Sequence, residues 1–282
     1  EKPRETGEDA SRSIQEPKQT AHLGPRKLRP LQPPAPEEAG GEEDFPERIG
    51  DYRLLRRLGS GGIGAVYLAR HESLDRQVAL KVLHPGLLCF AGQKQSILRE
   101  ARTAAALDHP GICSIYEVGQ ADGIPYLAMQ HVEGRSLAAM IEERLQPPAP
   151  PGPPDRKEVL ALLAQVEKVA RTVHAAHEAG LLHRDIKPGN IMITPAGEPV
   201  LLDFGLARFE KEGRLTRTGQ VQGTPHYLAP EGLAEERLPL DRRADIYAIC
   251  LTLFEAVSLQ NPFESDSVEG VYRKVLQREP PD

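Results

Sequence analysis

The sequence predicts an α+β protein whose N-terminal half consists of strands and whose C-terminal half is mainly helical. Short apolar runs recur between residues 52 and 129, as is typical of half-buried strands. Between residues 156 and 179 the apolar residues return with a period near 3.6, which indicates an amphipathic helix. A third segment, residues 245–257, is apolar on almost every side and predicts a helix buried in a core.

The composition excludes several classes of partner. The 282 residues carry a formal net charge of −6, which gives no reason to expect a nucleic-acid-binding or anionic-membrane surface. Cys89, Cys113 and Cys250 are far apart and form no C-x-x-C pair, which favours free thiols in a reducing, cytoplasmic compartment. No run of about 18 apolar residues predicts a membrane span. The first residue is Glu rather than Met, so we expect a fragment of a longer protein.

The first 48 residues are predicted to be a disordered tail. They are rich in Pro, Glu, Lys, Arg and Gln and contain few aromatic or β-branched residues, so they cannot bury enough apolar surface to offset their chain entropy. The alternative is a proline-rich docking ligand, since residues 30–36 could lie extended. A solvated linker is the favoured interpretation.

Residues 49–129 are predicted to form a five-stranded sheet with one helix. The strands are expected at 52–58, 64–71, 76–83, 112–118 and 124–129, and the helix at 94–107. Glycines between the first two strands, at Gly59, Gly61 and Gly64, give the spacing G-x-G-x-x-G. Such a loop lets backbone N–H groups approach phosphate oxygens closely. The same spacing marks dinucleotide-binding folds, but here it lies between two strands and no βαβ unit follows.

The C-terminal half is predicted to be helical, with a proline-rich insertion. Residues 146–154, QPPAPPGPP, interrupt two helical patterns and cannot be helix or central strand. The helix over 156–179 is expected to end at Gly180, and further helices are expected over 245–257 and 268–277. His174, His177 and His183 invite a metal-site interpretation, but no acid or cysteine completes a site, so helix packing is favoured.

Residues 181–205 combine the groups that phosphoryl transfer requires. Two short apolar runs, 191–193 and 200–202, predict a compact β-ribbon. Asp185 and Asp203 flank it, with Lys187 and Asn190 between them. This chemistry needs a carboxylate to orient a hydroxyl, oxygen ligands for Mg²⁺ and a cation near the transferred group.

This segment resembles the catalytic loop and Mg²⁺ loop of the eukaryotic-type protein kinase family, and in particular its bacterial Ser/Thr kinases. The residues that fit the patterns H-R-D-x-x-x-x-N and D-F-G are His183, Arg184, Asp185, Asn190, Asp203, Phe204 and Gly205. The resemblance extends over residues 52–282. It implies a two-lobed kinase fold, with an N-lobe at 49–129 and a C-lobe at 130–282 that lacks the family's last helices.

The resemblance assigns roles to single residues. It implies that Asp185 orients the substrate hydroxyl, that Lys187 faces the transferring phosphate, and that Asn190 and Asp203 hold Mg²⁺. Lys81, in a Val-Ala-Leu-Lys strand, would bind the α- and β-phosphates of ATP. Glu100 would pair with Lys81, the alternative being a surface glutamate. The implied ATP-binding residues are Leu58, Gly59, Ser60, Gly61, Gly62, Ile63, Gly64, Val66, Ala79, Lys81, Met129, Gln130, His131 and Val132.

Regulatory and structural roles follow from the same resemblance. Arg184 implies a phosphate-sensing arginine, and its anion would come from autophosphorylation of Thr216 and Thr218, whose alternative is a solvated loop. Thr224 would bridge Asp185 and Lys187, and Asp245 would anchor the catalytic loop. Glu231 would be left buried and unpaired, at a cost on the order of 3–5 kcal/mol.

The expected function is therefore that of a Ser/Thr protein kinase using ATP and Mg²⁺. Its partners would be protein substrates with Ser or Thr acceptors. The family also allows a homodimer through the small lobe, and a full-length protein anchored in a membrane through a C-terminal part. The alternative is a truncated, inactive fragment that binds nucleotide or serves as an interaction module.

Overall fold

The structure of the chain is a computed structural model that describes residues 47–61, 64–83, 103, 105–146, 154–204, 225–233 and 240–277. These residues all fall within the unit Pro46–Asp282. The strands are β1 Arg48–Ile49, β2 Tyr52–Gly61, β3 Gly64–His71, β4 Arg76–Leu83, β5 Ile115–Ala121, β6 Ile124–Gln130, β7 Arg135–Ser136, β8 Ile191–Ile193 and β9 Pro199–Leu201. The α-helices are α1 Leu137–Leu145, α2 Arg156–Glu178, α3 Arg242–Ser258 and α4 Val268–Gln277.

The N-terminal strands form one antiparallel sheet in the order β1-β2-β3-β4-β6-β5. The prediction of five strands was wrong by one, because β1 pairs two residues with β2 and a two-residue strand shows no alternation. Its Ile49 is nevertheless 1% exposed and belongs to the core. β5 and β6 are joined by the two-residue turn Asp122-Gly123, where both residues have positive φ as a tight hairpin requires.

Local sequence signals define the ends of the long helix α2. Asp155 accepts a hydrogen bond from the Glu158 backbone while the Glu158 side chain accepts from the Asp155 backbone, which forms a capping box. At the other end Gly180 has a φ of +77°, and Leu181 donates back to the Ala176 carbonyl oxygen at 2.9 Å. This Schellman arrangement ends the helix where the sequence predicts.

A second, three-stranded sheet, in the order β7-β8-β9, lies under the helical half of the core. β8 and β9 form the predicted ribbon, whereas β7 was not predicted. A parallel bridge between Ile112 and Leu201 joins β9 to the segment that leads into β5. β9 is therefore fixed on both sides, and the residues that follow it have a rigid base.

The largest hydrophobic cluster packs α2 and α3 against the ribbon. Its fully buried members include Val173, Ile186 and Leu201. Two apolar residues of the predicted helices lie outside the core: Leu163 of α2 is 42% exposed and Ile246 of α3 is 49% exposed. Among the described residues, no helix is long and apolar enough to cross a membrane.

The remaining predicted elements lie mostly outside the described residues. Of the predicted helix over 94–107, only 103 and 105–107 are described. Residues 147–153 of the proline-rich insertion and residues 1–46 of the tail are also outside the described residues.

Candidate active site

Asp245 anchors the loop that carries the predicted catalytic residues. Its side chain is 1% exposed. Oδ1 accepts the backbone N–H of Arg184 at 2.7 Å, and Oδ2 accepts that of His183 at 2.9 Å. His177 of α2 also reaches Oδ2 with Nε2, at 2.7 Å. Charge-assisted hydrogen bonds in a buried setting are the strong ones, so α3 and α2 together fix this loop.

The anchor explains how the loop tolerates an unusual backbone conformation. Arg184 has a φ of +66° and Asp203 a φ of +59°. Non-glycine residues in this left-handed region cost on the order of 1–3 kcal/mol each and persist where the surroundings enforce them. The Arg184 peptide is enforced by Asp245, and the predicted structural role of Asp245 agrees with its contacts.

The Asp185 carboxylate is held through one of its two oxygens. Lys187 Nζ and Asn190 Nδ2 each donate to Oδ2 at 2.8 Å, and Asn190 also donates to the Asp185 carbonyl oxygen. Within the described part of the chain, Oδ1 has no hydrogen-bond donor. The two contacts to Oδ2 therefore fix the orientation of the carboxylate.

His183 bridges the two loops in its neutral form. Burial lowers the pKa of His183, and this effect is larger than the opposite effect of the negative charge of Asp245, which raises it. Nε2 donates to the Leu202 carbonyl oxygen at 2.9 Å, which leaves Nδ1 to accept the Asp185 N–H at 3.3 Å. A single neutral tautomer satisfies both contacts. The ring also packs on Phe204, with centroids 4.5 Å apart.

Lys81 of β4 reaches across to the loop after β9. Its Nζ lies 2.8 Å from Asp203 Oδ2, and its side chain is 9% exposed. Burial alone would raise the pKa of the Asp203 carboxyl, but the charge and hydrogen bond of Lys81 outweigh it, so this pKa lies below its usual value. Asp203 is thus a carboxylate held in place by a buried cation.

The oxygens near this pair suit a hard divalent cation. Leu202 donates its N–H to the Asn190 carbonyl oxygen at 2.9 Å, which brings Asp203 next to Asn190. Across the described residues, Asn190 Oδ1 and Asp203 Oδ1 have no donor. No group of three or more His, Cys, Asp or Glu side chains in that same part of the chain could hold a metal. Two oxygen ligands fit Mg²⁺, which commonly completes its shell with water and phosphate.

The three glycines of the predicted phosphate loop differ in role. At Gly64, with a φ of +153°, an added Cβ would lie 1.9 Å from the Val82 carbonyl oxygen, so strand pairing itself requires glycine. At Gly59 and Gly61 an added Cβ would meet nothing within 4 Å. These two positions face open space, so contacts within the described residues do not require glycine there.

An apolar cluster lies between this loop and the segment after β6. Val66, Ala79, Met129 and Val132 of the predicted ATP-binding set belong to it. Sequence reasoning missed other members: the buried Leu83, Cys113, Leu127 and Val200, and the partly buried Ile115, Val118 and Leu202. Burial, and then the charge of Asp203, raise the pKa of Cys113 to about 12. No signal in the sequence marked Cys113, because its contacts come from distant segments.

The other predicted site residues are placed as follows. Leu58 and Ser60 are exposed on β2. Gln130 donates its N–H to the Ser114 carbonyl oxygen, and the next residue, His131, is partly buried. Glu231 is partly exposed, so the expectation that it is buried was wrong, because the short 3₁₀ turn that carries it lies near the surface. Outside the described residues lie Gly62, Ile63, Glu100, Gly205, Thr216, Thr218 and Thr224.

Comparison with known proteins identifies the family to which this fold and site belong. The family model described as "Protein kinase domain" matches residues 52–280. The chain belongs to the protein kinase family. The predicted resemblance and the two-lobed kinase fold are thereby confirmed, apart from the sixth strand.

The relatives of this kinase domain include bacterial enzymes named as Ser/Thr protein kinases. It is 39% identical over 241 residues to PrkC of Bacillus subtilis, which covers 82% of this chain and 34% of PrkC. It is 36% identical over 241 residues to PknA of Mycobacterium tuberculosis, which covers 82% of this chain and 52% of PknA. The chain therefore spans between a third and about half the length of these relatives.

Solved structures agree with the kinase fold. The crystal structure of the M. tuberculosis PknI kinase domain superposes with a TM-score of 0.59 at 32% identity. The match covers 76% of this chain and 75% of that domain.

Proposed function

We propose that the chain transfers the γ-phosphoryl group of ATP to Ser or Thr hydroxyls of proteins. The observation that carries the proposal is the Asp185 carboxylate, which has one oxygen fixed by Lys187 and Asn190, while the other receives no hydrogen bond from the described residues. A fixed carboxylate beside a paired Lys81 and Asp203 suits an acceptor hydroxyl meeting a nucleotide phosphate. The names of PrkC and PknA support the choice of Ser and Thr as acceptors.

In this proposal each residue of the catalytic loop acts on the acceptor or on the transferred group. Asp185 Oδ1 accepts the hydroxyl hydrogen bond, orients the attacking oxygen and takes its proton. Lys187, two residues on, places a positive charge beside the oxygens that gain charge in the transition state. His183 stays neutral and keeps both loops in register.

The nucleotide would lie between the glycine loop and the apolar cluster. The open positions Gly59 and Gly61 let backbone N–H groups approach the phosphates, and Lys81 contributes charge to the α- and β-phosphates. Val66, Ala79 and Met129 supply an apolar surface for the base. Backbone groups of residues 130–132 would hydrogen-bond its edge.

Asn190 and Asp203 would hold Mg²⁺ through their open oxygens. When bound, the ion neutralises charge on the phosphate oxygens. Lys81 keeps Asp203 deprotonated, so the carboxylate is ready to bind a cation at neutral pH.

Regulation by autophosphorylation is part of the proposal. Arg184 follows His183 on the anchored loop, where a guanidinium can bind a phosphate bidentately. Thr216 and Thr218 are the proposed phosphosites, and Thr224 is the proposed bridge between Asp185 and Lys187. Glu100 is the proposed partner of Lys81.

The test is transfer of label from γ-labelled ATP in the presence of Mg²⁺, followed by phosphoamino acid analysis. Wild type should label Ser or Thr, and Asp185→Asn should lose roughly 10²–10⁴-fold of the rate. Asp266→Asn, an exposed aspartate distant from the loop in sequence, is the matched control and should keep the rate. Equal labelling by wild type and Asp185→Asn would exclude the proposal.

The inactive nucleotide-binding module gains no support from the relatives. The same preparations separate it from an enzyme, since such a module would bind ATP without incorporating label. Label on tyrosine alone would exclude the proposed acceptor.

A further inference from the structure

His226 lies on the 3₁₀ turn Pro225–Tyr227, which packs against both α3 and α4. The residue after it, Tyr227, donates its hydroxyl hydrogen bond to Glu255 Oε2 of α3. Asn261 Nδ2 donates to the same oxygen at 3.1 Å. The turn is therefore tied to α3 directly beside His226, and the ring has a defined place between the two helices.

The ring of His226 has a buried nitrogen without a hydrogen-bond partner. Nε2 is shielded from solvent, and none of the described residues donates to it or accepts from it. A neutral imidazole can leave this nitrogen without a proton, but a protonated ring carries an N–H on both nitrogens. Protonation would therefore place a charged donor where no acceptor is within reach, and such a group is costly to bury. The docked turn accommodates the neutral ring and disfavours the protonated one.

Charged groups approach the ring from each element packed against it. Glu255 of α3 and Glu264, in the segment between α3 and α4, favour the protonated form, whereas Lys274 of α4 opposes it. Lys274 Nζ is held there by a hydrogen bond to the Glu264 carbonyl oxygen. Burial is the largest effect, and it lowers the pKa of His226 despite the two carboxylates. Docking of the turn is therefore fully favourable above the ordinary histidine value of about 6.5 and weakens as pH falls below it.

The same turn reaches the side of the catalytic loop. Tyr227 and Glu255 line a cavity of about 250 Å³, and Lys187 and Gly189 of the loop line it as well. Lys187 Nζ in turn donates to the Asp185 carboxylate at 2.8 Å. Displacement of the turn would therefore remove packing beside the residue that orients Asp185.

We propose that the turn Pro225–Tyr227 is a proton-sensitive contact: it docks on α3 and α4 while His226 is neutral and releases when the ring takes a proton. Release removes support from the catalytic loop, so acid lowers the rate of phosphoryl transfer. Lys274 sets the pH of release, because its charge opposes the proton. The effect on transfer rests on the proposed function, whereas the release of the turn does not.

The first test follows the titration of the ring itself. Long-range ¹H–¹⁵N spectra of protein labelled at its nine histidines report each imidazole, and His226→Gln identifies the signal of His226. Its midpoint should lie below about 6.5. Lys274→Met should raise its proton affinity at least about twofold, since a positive charge is removed, and Arg273→Met, at the exposed preceding residue of α4, should not. A midpoint at or above the ordinary value, or an equal response to both variants, would overturn the inference.

The second test measures the transfer rate at saturating ATP and peptide, over roughly one pH unit on either side of 6.5. A single linked proton changes the docking equilibrium by up to about tenfold per pH unit, so the rate of wild type relative to His226→Gln should fall at least about threefold over this range. The ratio cancels groups that titrate in both proteins, such as His183. His174→Gln, at an exposed position of α2, is the matched control and should follow wild type. Identical pH profiles of wild type and His226→Gln would contradict the inference.

Hydrogen exchange separates this inference from the proposed function, because it requires no transfer. After correction for intrinsic rates, the amides of residues 226–233 should lose protection in wild type as pH falls below about 6.5, and His226→Gln should show no such change. Lys274→Met, which keeps His226, should lose protection at a higher pH than wild type. Release of the turn together with no transfer at any pH would support the contact and reject the kinase. Transfer by a protein whose turn exchanges independently of pH would do the reverse.

Discussion

Replacing Asp245 by alanine should destabilise the whole catalytic half of the protein. The substitution removes the acceptor for two buried backbone N–H groups and for His177 Nε2. A buried donor left without an acceptor costs about 1–3 kcal/mol, so the two backbone N–H groups of His183 and Arg184 together give a loss of about 2–6 kcal/mol. Because domains are stable by about 5–15 kcal/mol, the loss is a large share.

The assay is thermal and urea unfolding monitored by circular dichroism, together with the labelled-ATP assay. For a domain of this size the expected loss corresponds to a fall in Tm of roughly 4–24 °C. Asp241→Ala on the same helix is the control, because Asp241 is an exposed helix cap bound to Arg243 and its loss should be small. If Asp245→Ala were as stable as Asp241→Ala, the anchor would not hold the loop as described.

Four further predictions concern single groups of the site. Gly64→Ala should lose about 1–3 kcal/mol of stability because its Cβ would meet the Val82 carbonyl oxygen, whereas Gly61→Ala should keep its stability and bind ATP more weakly. Urea unfolding measures the stability of both variants, and nucleotide titration measures their ATP binding. A loss of stability in Gly61→Ala but not in Gly64→Ala would contradict the open space found at Gly61. The lowered pKa of His183 means that the unfolded chain binds a proton that the folded chain does not, so stability should fall as pH drops below about 6.5, and His183 should contribute up to about 1.4 kcal/mol per pH unit to the slope. Burial also lowers the pKa of His226, so His183→Phe should reduce the slope in urea melts rather than abolish it. An unchanged slope would reject the buried neutral ring of His183. Because the pKa of Asp203 is lowered in the folded protein, its carboxylate should add stability that is present above about pH 4 and lost as pH falls further. Lys81→Met should remove this contribution in acid titrations. Identical acid transitions of wild type and Lys81→Met would count against the ion pair. Iodoacetamide should label the exposed Cys250 of the native protein and spare the buried Cys113, as read by peptide mass spectrometry; equal labelling would show that the apolar cluster is open.

Long periodic elements were predictable because their signal is local. β3, β4 and α4 lie at the predicted residues, since alternation and 3.6 periodicity extend over eight or more positions. β1 and β7, with two residues each, leave no period to detect. Leu163 fits the helical pattern of α2 but is exposed, because the core meets only part of that apolar stripe.

The candidate site was predictable from motifs only where chemistry restricts residue type. Asp185, Lys187 and Asn190 stand in fixed spacing and contact one another in the structure, and Lys81 contacts Asp203. His177 and Leu202 carried no such signal, because each acts through a contact with a residue distant in sequence, at Asp245 and His183. Similarly, the pattern of three glycines could not tell Gly64, which strand pairing requires, from Gly59 and Gly61, which face open space.

The central claim is that the open oxygen of Asp185 acts on the acceptor hydroxyl and not on ATP binding. Single-turnover phosphoryl transfer, measured beside the ATP dissociation constant, tests it most directly. Asp185→Asn should bind ATP within about threefold of wild type and transfer phosphate at least about 100-fold more slowly. An unchanged transfer rate, or a loss explained entirely by weaker ATP binding, would contradict the account.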